Sequence, residues 1–147
     1  PVVTVEVDAA TSGPVSQWTA YLTDDKNHLK VIDGPVKDHG IYTSEVLEGL
    51  VVALRVLKRA CEVTVFTSCR HTVDAANGWV YGWSKKGWKS SSGDPIKNKE
   101  LWEEFLQLKA VHSIEVYHNP HSTKRLRVEC MERVHKRWLE LRKISAV

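Results

Sequence analysis

The feature that most constrains the fold is a change of hydrophobic period in the first half of the chain. Apolar residues recur there every three or four positions along one face of a predicted helix: Val46, Leu50, Ala53, Leu54 and Leu57. Thr43 or Ser44 could cap this helix at its amino end. The β-branched run EVTVFT (Glu62–Thr67) follows and is typical of a buried central strand.

Three segments of alternating apolar and polar residues precede this helix, and they predict strands over residues 2–7, 17–23 and 28–33. Short turns separate the three segments, so we expect an antiparallel meander. Asp8 stands at the end of the first strand. A strand, a helix and another strand form a crossover connection, which places the strand Glu62–Thr67 parallel to a neighbour.

The second half of the chain adds helices on both sides of one more strand. We expect short helices over residues 70–76 and 79–86, then a longer helix that Asn98 caps. Ser113–His118 is predicted to be the fifth strand. The terminal helix, from residue 122, carries an apolar stripe: Leu126, Cys130, Val134, Trp138 and Leu141. The fold class is therefore α/β, with three antiparallel strands and then two parallel strands in one mixed sheet flanked by helices.

Length and composition are those of a globular chain with one hydrophobic core. The chain has 147 residues, of which 42% are hydrophobic and 27% charged, and we expect a single domain over residues 1–147. No apolar run approaches the roughly 20 residues that span a membrane, and the amino end does not resemble a secretion signal. We therefore expect a cytoplasmic protein without membrane contact. Cys61, Cys69 and Cys130 lack C-x-x-C spacing, which predicts buried reduced thiols.

Basic charge is concentrated in two regions, although the net charge is only +3. Residues 79–99 contain five lysines and one aspartate, and residues 122–143 contain eight lysines or arginines and three glutamates. Concentrated basic charge of this kind attracts the phosphates of nucleic acids without reading their sequence. On the terminal helix the basic charge could also contact a protein partner, or the charged face could simply be exposed to solvent. The residues concerned are Arg125, Arg127, Lys136 and Arg137.

Indole rings are interleaved with lysines in the first basic region. Trp79, Trp83 and Trp88 are spaced four and five residues apart. A small hydrophobic cluster that anchors a protrusion would explain the indoles, while ammonium groups on the protrusion would contact phosphate. The candidate nucleic-acid-binding residues are Trp79, Trp83, Lys85, Lys86, Trp88, Lys89, Lys97 and Asn98.

Two stretches of the sequence resemble type 1 ribonucleases H. ALRVLKRACEVTVFT, residues 53–67, is similar to the long helix of that family and the strand after it. NGWVYGWSKKGWKSSSGDPIKNKELWEEF, residues 77–105, is similar to its tryptophan- and lysine-rich handle and the next helix. The order of elements matches over essentially the whole chain. The resemblance implies a ribonuclease H-like fold with a helical handle, and a protein that binds RNA–DNA hybrids.

The resemblance also implies a metal site. The family cuts the RNA strand of a hybrid with two magnesium ions, which four carboxylates usually hold. Asp8 matches the acid of the first strand and is the candidate metal ligand. Ser68 stands where the family has an acid after the fourth strand, and Val46 stands at the acid of the long helix when the alignment has no gap. The acid of the last helix falls near Met131.

Neighbouring acids could complete a reduced site after a small shift of register. Those next to the two helix positions are Glu45, Glu48, Glu129 and Glu132. The candidate catalytic residues are Asp8, Glu45, Glu48 and Glu132, with Mg²⁺ as the cofactor if the protein is active. His118 or His121 would stand for the mobile histidine of the family.

Three functions are compatible with this pattern. The first is binding of RNA–DNA hybrid or another duplex with catalysis lost, because the neutral hydroxyl of Ser68 cannot replace a carboxylate. The second is an active magnesium-dependent hybrid endonuclease with a reduced carboxylate set. The third is a structural subunit that uses the fold to bind a protein partner. The sequence favours the first.

Overall fold

A computed structural model describes residues 1–145 of the chain. The strands are β1 (Val2–Ser12), β2 (Val15–Asp24), β3 (Leu29–Asp33), β4 (Glu62–Thr67) and β5 (Ser113–His118). The helices are α1 (Tyr42–Arg55), α2 (Arg70–Asp74), α3 (Val80–Lys85), α4 (Lys99–Val111) and α5 (Lys124–Ser145), and a π-helical segment, Ala75–Trp79, joins α2 to α3. Ala146 and Val147 lie outside the described residues, so one domain over residues 1–147 stays a prediction.

The strands form one mixed sheet in the order β3-β2-β1-β4-β5. β2 is antiparallel to β1 and β3, whereas β4 is parallel to β1 and β5 is parallel to β4. This confirms the predicted meander and crossover. β1 pairs with β4 only as far as Glu6, opposite Phe66, while its pairing with β2 continues to Ser12. Asp8 therefore lies where β1 extends beyond the carboxyl end of β4.

Helices cover both faces of the sheet. On one face Val3, Val5 and Val7 of β1 belong to a core that includes the apolar stripe of α1. On the other face Ala10 of β1 packs with Cys130 of α5 and its neighbours. Because side chains alternate along a strand, the even-numbered Asp8 faces the same side as Ala10, toward α5. The predicted apolar faces of α1 and α5 are confirmed.

The helix caps differ from the prediction. α1 begins at Tyr42 after Ile41, and no side chain caps it. Asn98 precedes α4 in the left-handed conformation, with φ 62°, and does not cap it through its side chain. Its Nδ2 instead donates to Ser44 Oγ at 3.0 Å. Capping by Thr43 or Ser44 is therefore wrong, because both lie inside α1. Asn98 holds the N-cap position of α4, but its side chain bonds to Ser44 instead of the helix end.

Cys61, Cys69 and Cys130 are buried free thiols, as predicted. Among residues 1–145, none of the helices combines the length and the apolar character that crossing a bilayer requires.

Candidate functional site

Asp8 is fully buried, and both oxygens of its carboxylate are occupied by hydrogen-bond donors. Oδ1 accepts from the Tyr42 hydroxyl at 2.6 Å and from the Ala9 amide at 3.0 Å. Oδ2 accepts from the Ser68 amide and the Thr123 hydroxyl, each at 2.9 Å. Four electrically neutral donors therefore surround one carboxylate.

The Ala9 amide lies next to Asp8 on β1, and three separate segments bring the other three donors. Tyr42 is the first residue of α1, Ser68 directly follows β4, and Thr123 directly precedes α5. The amino ends of α1 and α5 add positive potential, because helix dipoles point toward them. The Tyr42 hydroxyl also lies 3.0 Å from Ser68 Oγ. Burial, followed by the bond to Asp8, raises the pKa of Tyr42, so the phenol stays neutral and continues to donate.

Arg127 supplies the charge that balances Asp8. Its Nε lies 3.5 Å from Asp8 Oδ2, one helical turn beyond Thr123 on α5. One of its Nη groups donates to the carbonyl of Pro120 at 2.7 Å. The side chain remains 35% exposed, so the guanidinium links the buried carboxylate to the surface. The negative charge of Asp8 is thus compensated within the protein.

These surroundings do not fit a two-magnesium site. Magnesium requires a nearly octahedral shell of oxygens, and both Asp8 oxygens are already committed to donors. A divalent cation about 4 Å from the Arg127 guanidinium would be repelled by roughly 8 kcal/mol at an effective dielectric constant of about 20. Within residues 1–145 no group of three or more His, Cys, Asp or Glu side chains is arranged to hold a metal ion.

Glu45 and Glu48 are brought together around Lys37. Lys37 Nζ lies 2.7 Å from a carboxylate oxygen of each, and Glu48 also accepts from Trp18 Nε1 at 2.7 Å. Burial raises the pKa of Glu45, although Lys37 opposes this shift. For Glu48 burial acts in the same direction, but the bonds from Lys37 and Trp18 prevail and lower its pKa. The catalytic assignment of both residues stays a prediction.

Glu45→Gln tests this arrangement through pH. The folded pKa of Glu45 lies above its ordinary value of 4.5, so Glu45 contributes stability that is present below pH 4.5 and is lost as the pH rises through the folded pKa. The free energy of unfolding of the wild type minus that of Glu45→Gln is therefore expected to fall as the pH rises above 4.5 in urea titrations. A difference that grows with pH would mean that pairing with Lys37 outweighs burial.

The acids predicted on the last helix lie elsewhere than at Asp8. Glu132 and Met131 are exposed. Glu129 accepts from the Tyr21 hydroxyl at 2.7 Å and pairs with Arg125 at 3.4 Å. A catalytic role of Glu132 stays a prediction, as does the metal-ligand role of Asp8.

Tyr42 and Thr123 were not predicted as neighbours of Asp8. Tyr42 lies four residues before Val46, so it occupies the same helical face one turn earlier. A search for polar side chains one turn before the expected acid of the long helix would have found Tyr42. Thr123 carries no such signal, because the acid expected on the last helix falls near Met131, two turns later. His118, at the end of β5, lies 3.3 Å from Arg70 through its Nδ1.

A chain of aromatic rings anchors the handle, by which we mean residues 77–98. Ring centroids are 6.2 Å apart for Trp79 and Trp83, 6.1 Å for Trp83 and Trp102, and 5.5 Å for Trp102 and Phe105. Trp102 and Phe105 are buried, whereas Trp79 is 47% exposed. The inner rings therefore fix the handle to the core, and the outermost indole stays accessible.

The polar side of the handle carries exposed ammonium groups. Lys85, Lys86 and Lys89 are exposed, and so is Lys97. Lys86 and Lys89 line a groove together with Trp79, Trp83, Gly78, Gly82, Ser90 and Ser91. Trp88 is half-buried, and its amide donates to the Trp83 carbonyl at 2.8 Å. Nucleic-acid binding by these residues, and by Asn98, stays a prediction.

Comparison with known proteins places the chain among ribonucleases H. Ribonuclease H of Pelobacter propionicus is 36% identical over 87 residues, which cover 59% of this chain and 53% of that protein. Ribonuclease H of Geotalea uraniireducens is 35% identical over 111 residues, which cover 73% of each chain. The chain thus spans about half of the first relative and about three quarters of the second.

Solved structures and the family model agree with these relatives. LC11-RNase H1, isolated from compost, has a TM-score of 0.66 at 16% identity, covering 93% of this chain and 98% of that chain. Its complex with an RNA/DNA hybrid has a TM-score of 0.56 at 15% identity, covering 87% and 92%. The RNase H family model matches residues 2–126. The chain therefore belongs to the ribonuclease H family.

Proposed function

We propose that this protein is a ribonuclease H-like domain that binds RNA–DNA hybrid or a related duplex through its handle and does not cleave it. The observation that carries the loss of cleavage is the saturation of Asp8. Four neutral donors and the Arg127 guanidinium take the place that magnesium ions and further carboxylates would need.

Binding is supported by the form of the handle. Its lysines are exposed, and two of its indoles, Trp83 and Trp88, pack against the core, so the ammonium groups are presented on an anchored segment. Contacts of this kind bind the phosphate backbone and depend on salt concentration. LC11-RNase H1, which shares this fold, has been solved with an RNA/DNA hybrid.

An active nuclease would need a second carboxylate beside Asp8. Glu45 and Glu48 are both engaged by Lys37, and Glu132 is exposed on α5. Completing a reduced site would require at least one of them to leave its partners and approach Asp8. These contacts of the candidate acids favour a binding protein over an enzyme. A cytoplasmic location and a protein partner stay predictions.

One assay tests the proposal. We expect labelled RNA–DNA hybrid to be retarded at low salt with a dissociation constant of about micromolar order, and to remain uncut with Mg²⁺ or Mn²⁺. Asp8→Asn should be equally inactive. Metal-dependent cutting that Asp8→Asn abolishes would instead establish an endonuclease. If the hybrid is not retarded at low salt, the result would favour a protein-binding role instead.

A further inference from the structure

Basic side chains lie on three segments next to Asp8. They come from the segment after β4, the end of β5 and the start of α5: Arg70, His118, His121, Lys124 and Arg127. The carboxyl ends of β4 and β5 bring these segments together, because Thr67 pairs with His118 and the Asn119 amide donates to the Thr67 carbonyl at 2.9 Å. Ligands of open α/β sheets commonly bind at this edge.

The contacts join these groups to the Asp8 site. Arg70 follows Ser68 by two residues, and its Nη lies 3.3 Å from His118 Nδ1. The Pro120 carbonyl, two residues beyond His118, accepts from Arg127, which lies beside Asp8. Arg70, His118 and Arg127 thus lie on connected segments beside the carboxylate.

Arg127 retains hydrogen-bonding capacity toward a ligand. A guanidinium has five N–H donors, and among residues 1–145 the structure gives this one a single hydrogen bond, to Pro120. Its Nε is buried without a hydrogen-bond partner among the described residues, and forms an ion pair with Asp8 at 3.5 Å. The Tyr42 hydroxyl, which donates to Asp8, lies 3.0 Å from the Ser68 hydroxyl. These groups favour an anion with several oxygen acceptors.

The basic side chains outnumber the acids that the structure places in contact with them. Arg127 offsets the charge of Asp8, so Asp8 does not balance the positive charges of the exposed Arg70 and Lys124. Glu6 lies two residues before Asp8 on the same face of β1. Burial raises its pKa, although the Ser122 hydroxyl opposes this shift. A guanidinium fork matches phosphate oxygens in geometry as well as in charge.

We propose that the former metal position binds a backbone phosphate of nucleic acid directly, with Arg70 and Arg127 as the main donors and His118 beside them, so that binding needs no divalent ion. This proposal rests on the proposed function, since it adds a second anchoring point to the handle. It names a phosphodiester in the duplex as the ligand. Free inorganic phosphate has the same chemistry and is tested separately.

The test is hybrid binding in EDTA, followed by fluorescence anisotropy. Arg70→Gln combined with His118→Gln is expected to weaken binding about fivefold to twentyfold, and added Mg²⁺ should not strengthen wild-type binding. Arg142→Gln combined with Lys143→Gln, at the far end of α5, is the matched control and should change affinity less than about twofold. Both pairs are exposed, and urea midpoints verify that each variant folds.

Hybrids with a single neutral methylphosphonate linkage locate the contact. At one position the methylphosphonate should weaken hybrid binding by the wild type but have no further effect on binding by the Arg70, His118 double variant. This is the result expected if that phosphate contacts the two side chains. Equal effects in both proteins at every position would overturn the proposal. Inorganic phosphate could shift the NMR signals of Arg70 and His118 although the Arg70, His118 double variant binds hybrid as tightly as wild type. That result would also overturn the proposal, since the ligand would then be a free anion.

The outcomes separate this proposal from the proposed function. If handle variants weaken hybrid binding and the Arg70, His118 variant does not, the second anchoring point is wrong and the binding function stands. If the wild type does not bind hybrid at low salt, the proposed function itself is wrong.

Discussion

Asp8→Asn is expected to lower the free energy of unfolding by about 3–5 kcal/mol, because a buried carboxylate is removed that accepts four hydrogen bonds and balances the charge of Arg127. The asparagine Nδ2 would direct N–H groups at donors that now bind Oδ1 or Oδ2, among them the Ser68 amide and the Thr123 hydroxyl. Arg127 would also lose its counter-charge. Urea unfolding in EDTA at neutral pH measures the change.

The sign of this change distinguishes the two readings of the site. In a working metal site several carboxylates repel one another when no metal is present, so neutralising one of them leaves stability unchanged or raises it. Here Asp8 is compensated by its neighbours, and neutralising it destabilises the fold. Asp25→Asn, at an exposed position, is the control and should stay within about 0.5 kcal/mol of wild type. A stabilised Asp8→Asn protein would contradict the saturated site.

A double-mutant cycle with Arg127 isolates the ion pair. Arg127→Gln alone should destabilise, because it leaves Asp8 without its counter-charge. In the Asp8→Asn background the same change should cost much less, since no buried carboxylate remains to be compensated. Additive effects of the two changes would show that Arg127 and Asp8 are not coupled in solution.

The architecture could be predicted because apolar residues recur with the short periods that are typical of helices and strands. The apolar stripe of α1 and the β-branched run of β4 each specify an element within a few residues, and chain connectivity then restricts the sheet order. The length of β1 was underestimated, since the prediction ended it at residue 7 and the strand continues to Ser12. Small and polar residues after Asp8 break the alternation there, yet β2 pairs with them.

The composition of the site was much less predictable. Ser68 could be located by resemblance, because the sequence around it leaves little freedom in the alignment. Asp8 could be located by its place at the end of the first predicted strand. Thr123 and Arg127 meet Asp8 from more than a hundred residues away, through the packing of α5 on the sheet. Nothing local marks a threonine before a helix, or an arginine one turn into it, as a neighbour of a buried acid. Only the assembled tertiary structure reveals the contact.

Replacing Lys85, Lys86 and Lys89 by glutamine is expected to weaken hybrid binding by about tenfold to a hundredfold at low salt. If each lysine neutralises one phosphate, the slope of log K against log salt should become shallower by about two to three. These side chains are exposed, so the substitutions should leave stability nearly unchanged. Trp83 is less suitable as a test, because its packing against Trp102 makes any substitution a change of anchoring as well.

The matched control for this triple variant removes three lysines from the opposite end of the sheet. Lys26, Lys30 and Lys58 are exposed, and Lys30 lies in a groove with Leu57 and Val3 near the amino end of β1. The handle instead follows the carboxyl end of β4, which is parallel to β1. Both triple variants lose the same charge, so a general electrostatic effect would weaken binding equally in both. Weakening confined to the handle variant, with a reduced salt slope, would establish a local phosphate contact, whereas equal weakening would show that the handle has no special role.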